Sequence, residues 1–163
     1  MGVFSAFGSV FLLSGALILC KVSFGYYDRL SACYGDFLRL LCSIRQKIGT
    51  SSLSISQILD ADEGYTVLGN TQFFAVAKEK GLCEAFMQCE NNLPVREDDK
   101  RMLERYFSQF GSDMLAAELE NLNDVIERLD NKHKQIEAEA PSKKRITSTM
   151  IVCGFLMIII LIV

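Results

Sequence analysis

The sequence predicts an all-α protein: a helical bundle of about six helices in a cytosolic domain, flanked by an N-terminal and a C-terminal transmembrane helix. Three observations predict it. Every Lys, Arg, Asp and Glu of the 163 residues lies between Lys21 and Arg145, so both ends are uncharged and apolar. Between them, apolar residues recur at alternating spacings of 4 and 3, the mark of one helical face. No stretch shows the period-two alternation of a half-buried strand.

Residues 2–20 and 146–163 are each expected to be one membrane-spanning helix. Roughly 18–19 residues at about 1.5 Å rise reach about 27–28 Å, close to the ~30 Å hydrocarbon core. A helix also satisfies its own backbone there. A cleaved signal peptide would need a positive n-region, and only the start methionine precedes this apolar run. Leu19 is too large for the residue before an acylated lipoprotein Cys20. Lys21 and Arg29 follow the first apolar end, and Lys143, Lys144 and Arg145 precede the second. The positive-inside rule therefore places residues 21–145 in the cytoplasm and both chain ends outside. Gly8 and Gly15, like Thr147 and Gly154, share a face within their helices, where small residues let helices approach closely.

The segment 21–145 is long enough to bury a modest core. Its first helix is expected over 27–48, with Leu30, Tyr34, Phe37, Leu41, Ile44 and Ile48 on one stripe. Arg29, Asp36, Arg39 and Lys47 occupy other faces, and Gly49 is a plausible stop. Ser54 can cap a brief helix carrying Ile55, Ile58 and Leu59. Residues 62–70 read as a loop. A third helix is expected over 71–80, ending at Gly81, and a fourth over 82–90 with Leu82, Ala85, Phe86 and Cys89 inward. Pro94 bars the helical region for the residue before it. Glu97, Asp98 and Asp99 open the fifth helix against the positive end of its dipole. Leu103, Tyr106, Phe107 and Phe110 form its apolar face. Gly111 ends it, and Ser112 or Asp113 can cap the last helix. There Leu115, Leu119, Leu122, Ile126, Leu129, His133 and Ile136 run through three heptads. Pro141 should kink or break this helix before the second apolar end.

Composition narrows function. A net charge of −3 with no basic stripe argues against a nucleic-acid partner. The six cysteines form no C-x-x-C pair and the single His is remote from them, which favours free thiols over zinc. The run from Gly64 to Thr71 approaches a P-loop but has Asn70 where the phosphate-reaching Lys belongs, so a plain loop is the better reading. His133 lies on the apolar seam and reads as a packed histidine. The acids of the last helix, Asp113, Glu118, Glu120, Asp124, Glu127, Asp130, Glu137 and Glu139, read first as a solvated face. Glu120, Asp124 and Glu127 are the first candidates should that face dock a basic partner. No catalytic, cofactor-binding or metal-binding residues emerge.

With these residues in view the chain resembles the stage III sporulation protein AB family of endospore-forming bacteria. The likeness is carried by Glu97-Asp98-Asp99-Lys100, leading through Leu103 to Phe110-Gly111-Ser112-Asp113 and the long heptad helix. Gly111 and Asp113 match the family's turn, and Phe110 replaces its usual Leu. Ser52-Leu53-Ser54 lacks the proline that often starts the family's second helix. The resemblance implies a domain similar to the cytoplasmic domain of the type II secretion F platform protein. It implies a non-enzymatic platform of a secretion-like channel between mother cell and forespore, in the outer forespore membrane and required for endospore formation. The implied partners are an ATPase like stage III sporulation protein AA, other stage III sporulation membrane proteins and the lipid bilayer. No cofactor is implied. The alternatives are an inner-membrane platform of another type II secretion or type IV pilus-like system, and a membrane-bound enzyme with polar groups converging in a pocket.

Overall fold

The apolar stripe of residues 27–48 lies in the second half of one long helix, α1 (Gly2–Thr50). Three shorter helices follow: α2 (Phe73–Lys80), α3 (Leu82–Cys89) and α4 (Glu97–Gln109), with a 3-10 turn over Glu90–Asn92. A second long helix, α5 (Leu115–Ile162), ends the order. This computed structural model describes residues 2–50, 64–111 and 115–162, with side chains at 14–48, 64–111, 116–158 and 160. Among them there is no strand.

Residues 29–135 form one compact unit. Its core is the predicted stripe of α1, where Leu30, Tyr34, Phe37, Leu41 and Ile44 are all buried. Leu40 and Cys33 widen it. A series of aromatic contacts carries the core outward from α1. Phe37 meets Phe73 of α2 at 6.1 Å and Phe86 of α3 at 6.0 Å, and Phe86 meets Phe107 of α4 at 5.6 Å. Edge-to-face and tilted ring pairs add about 0.5–1.5 kcal/mol each beyond the area they bury. The turns are where punctuation was expected. Gly81, at φ 92°, closes α2 by donating to Ala77 O at 3.1 Å, and its own carbonyl then accepts from Ala85 in α3. Leu93 is extended (φ −90°, ψ 125°) ahead of Pro94. Glu97, Asp98 and Asp99 fill the first turn of α4, as expected from its dipole.

On α5, Leu122, Val125 and Leu129 are buried while Leu119 and Ile126 are only partly covered. The inward seam is thus rotated toward Val125 relative to the expected heptad. His133 packs over Gly35 of α1, its ring atoms 3.9 Å from where a Cβ would stand. A Cβ there would make only ordinary van der Waals contact, so the space does not require glycine.

Residues Met1–Asp28 and Ile136–Val163 form a second unit. Ala16 and Cys20 are buried in it, and a Cβ on Gly15 would stand 3.8 Å from the Phe155 ring. Cys20 Sγ donates to Ser148 Oγ at 3.9 Å. Lys144 pairs with Asp28 at 2.6 Å and lies 5.9 Å from the Phe24 ring centroid.

Several expectations are corrected. The two flanking transmembrane helices are not shown: among the described residues, no helix is long and apolar enough to cross a membrane. The apolar ends are instead continuations of α1 and α5. Of the basic residues before the second apolar end, Lys144 pairs with Asp28 and Lys143 with Glu139. Among the described residues, nothing lies within 4 Å of a Cβ on Gly154. Five helices are described rather than about six, and the brief helix after Ser54 lies outside the described residues. Pro141 is exposed within α5 and does not end it, although it removes one backbone donor.

The seam of α5 predicts a contrast. Leu122→Asp should lower unfolding free energy by roughly 3–5 kcal/mol, because it buries an unpaired charge. Glu120→Ala, on the exposed face, should change it by less than about 0.5 kcal/mol. Urea titration of both variants checks this, and equal shifts would assign the wrong face inward.

Candidate functional site

Three polar contacts bind the pieces around α1 and fix which surfaces are left outside. The first starts at Asp36, which the sequence pattern placed off the core face. It is 2 % exposed. Its Oδ2 accepts the backbone N–H of Val67 at 2.6 Å and of Leu68 at 3.0 Å, and its Oδ1 accepts that of Thr66 at 3.2 Å. Successive N–H groups converging on one anion form a backbone nest. The loop that resembles a P-loop therefore does cradle an anion, and the anion is a side chain of the same protein. The rest of the loop is fitted to this role. A Cβ on Gly69 would fall 2.6 Å from Tyr65 O, so only glycine allows the turn. Thr71 Oγ1 donates to Leu68 O at 2.7 Å, and Arg39 donates to Gly64 O at 2.5 Å.

The second contact joins α1 to α4. Tyr34 donates to Asp99 Oδ2 at 2.5 Å, and the Arg96 N–H donates to the Tyr34 oxygen at 3.4 Å. Burial, then the hydrogen bond to Asp99, holds the Tyr34 hydroxyl protonated well above its ordinary value of 10.0. The third lies at the turn between α4 and α5. Gly111 has φ 81°, a conformation that favours glycine, and its N–H donates to Glu118 Oε2 at 3.3 Å. Glu118 is buried, not on the solvated face where the sequence pattern put it. It lies against Tyr106, whose hydroxyl is raised by burial and by that carboxylate, yet neither the hydroxyl nor Glu118 Oε1 completes a well-formed hydrogen bond.

The residues expected to dock a partner come out together. Glu120, Asp124 and Glu127 are all exposed on one face of α5, opposite buried Leu122, Val125 and Leu129. Asp124 also lines a groove of about 350 Å³ between α4 and α5, with Asp98, Arg101, Arg105, Tyr106 and Arg128. Of the family turn, Phe110 stacks edge-on to Tyr106 at 5.7 Å and Gly111 is as described, while Asp113 lies outside the described residues. All six cysteines are free thiols, and burial with the nearby Asp36 charge pushes the Cys33 thiol up to about 12. Among the described residues no group of His, Cys, Asp and Glu is arranged to hold a metal.

A sequence model of the Stage III sporulation protein AB family matches residues 6–163. The chain belongs to that family. No curated protein and no solved structure matches it. Within the chain, the turn after α4 combines the positive φ of Gly111 with a hydrogen bond from the Gly111 N–H to Glu118. Sequence reasoning missed Asp36 although a signal was present: Cys33, Phe37 and Leu40 surround it on the same helical face. The grouping of Arg101, Arg105 and Arg128 was also missed, because only the first two are neighbours at i, i+4.

Two expectations follow for this stage III sporulation AB protein. Asp36→Ala strands the Val67 and Leu68 N–H groups and should cost roughly 3–5 kcal/mol, while Asp36→Asn, which keeps one acceptor, should cost less. Urea titration checks both. For Tyr34 and Tyr106 the folded value is raised, so the stability they contribute is complete below pH 10 and falls as pH climbs above the ordinary value of 10.0. Tyr34→Phe should be less stable at neutral pH and lose less on passing above pH 10, as read by urea midpoints on either side.

Proposed function

We propose that this stage III sporulation protein is a non-enzymatic scaffold of the secretion-like channel complex between mother cell and forespore. In this reading its 29–135 unit docks a secretion-type ATPase, the stage III sporulation protein AA-like partner implied by the family. The observation that carries the reading is the exposed line of Glu120, Asp124 and Glu127 on a helix fixed from behind by buried apolar residues. A rigid face of one charge sign steers a complementary partner and sets its register without any chemistry. Location at the outer forespore membrane, beside other stage III sporulation membrane proteins and lipid, is part of the same proposal. It is supported by the exposed apolar side chains of the other unit, among them Leu17, Ile18, Val22, Met150, Met157 and Ile160. A patch of that kind marks a surface that meets a partner or lipid.

Capture of the full chain by the purified ATPase tests the docking. Reversing Glu120, Asp124 and Glu127 together to Lys should weaken capture at least about tenfold and leave the urea midpoint in place, and salt should weaken the native pair. Capture unchanged by the reversal and by salt would defeat this reading.

A further inference from the structure

The groove between α4 and α5 holds an unbalanced charge arrangement. Arg101, Arg105 and Arg128 all line it and all are exposed. Arg101 and Arg105 stand at i, i+4 on α4, where like charges disfavour the helix. Two acids, Asp98 and Asp124, share the lining. Asp98 is three residues before Arg101, and Asp124 four before Arg128, spacings at which ion pairs close readily. Among the described residues neither closes, whereas ion pairs at such spacings do form elsewhere, as in Lys100–Glu97 and Lys134–Asp130. The helices thus bring three guanidinium forks to one groove, and neither acid that shares its lining closes an ion pair with them. The floor is formed by the buried Tyr106 ring and by Met102.

We infer that this groove binds an acidic segment of a protein partner, with Arg101, Arg105 and Arg128 taking its carboxylates. The fork of Arg matches a carboxylate in two parallel hydrogen bonds, and such charge-assisted pairs are the stronger kind. A peptide fits better than a phosphate-bearing ligand. Its carboxylates are spaced, so each can meet one fork while the chain between them passes Asp98 and Asp124 with neutral or basic groups. A phosphate concentrates its charge and meets those two carboxylates at close range. The protein's net charge of −3 also gives no long-range attraction for a polyanion such as nucleic acid. With Glu120 and Glu127 beside it on α5, the groove makes the surface one of mixed sign. That arrangement selects the partner's register rather than its net charge alone.

Fluorescence anisotropy on the full chain tests this, with a fluorescein-labelled peptide of alternating glutamate and serine as probe and its glutamine counterpart as control. No ATPase is present, so the result is independent of the ATPase reading. The glutamate peptide should bind at low salt and the glutamine peptide should not. Arg101→Ala, Arg105→Ala and Arg128→Ala combined should weaken binding at least about tenfold. An equal charge loss elsewhere, Lys21→Ala, Lys80→Ala and Arg145→Ala, should change it less than about twofold, since those exposed positions lie outside the groove. No binding of the glutamate peptide, binding untouched by the groove variant, or equal losses in both variants would each overturn the inference. So would complete displacement of the peptide by an equal concentration of inorganic phosphate, which would make the groove a phosphate site.

Discussion

The burial of one carboxylate governs the organisation of the 29–135 unit. Asp36 is 2 % exposed at the edge of the apolar face of α1. A buried charge is costly unless hydrogen bonds replace its hydration. The replacement is a set of backbone donors at residues 66–68, from a loop about thirty residues away in sequence. The constraint is mutual. Without the loop the carboxylate is stranded, and without the carboxylate the amides of Val67 and Leu68 are stranded inside the core. The site that looks suited to phosphate is thereby filled from within.

Much of the rest depends on where that loop is held. It leads directly into α2, so fixing residues 66–68 on α1 places Phe73 and Phe74. Phe73 stacks on Phe37, one residue beyond Asp36, and the ring contacts continue through Phe86 to Phe107 on α4. The Tyr34 hydroxyl then ties α4 to the same helix, two residues before Asp36. α1 thus organises the loop, α2, α3 and α4. What remains outside is the far side of α4 and α5, where Glu120, Asp124 and Glu127 and the three arginines are found.

How much of this was legible in the sequence depends on whether a feature is local. The apolar stripe of α1, the stops at Gly81 and Pro94 and the acidic first turn of α4 follow from periodicity and backbone preference, and they are present. The flanking membrane spans are not shown, because among the described residues no helix is long and apolar enough to cross a membrane. No residue between Cys20 and Tyr27 forces a helix to stop, and Pro141 ends α5 no more than Gly25 ends α1. Polar residues of the core were the hardest to place. Asp36 and Glu118 read as surface charges because their partners are backbone groups, and backbone donors carry no signature in the sequence. The acidic face of α5 was visible from helical spacing alone. The arginine groove was not, since it requires Arg128 to arrive from a second helix.

Amide hydrogen exchange at Val67 and Leu68 tests the central claim most directly, with the native chain compared against Asp36→Ala. If Asp36 holds the loop, both amides in the native protein should exchange with protection close to that of the core of α1. In the variant they should lose most of it while the amides around Leu41 and Ile44 keep theirs. Fast exchange at Val67 and Leu68 in the native protein, or protection that survives the loss of the carboxylate, would contradict the account.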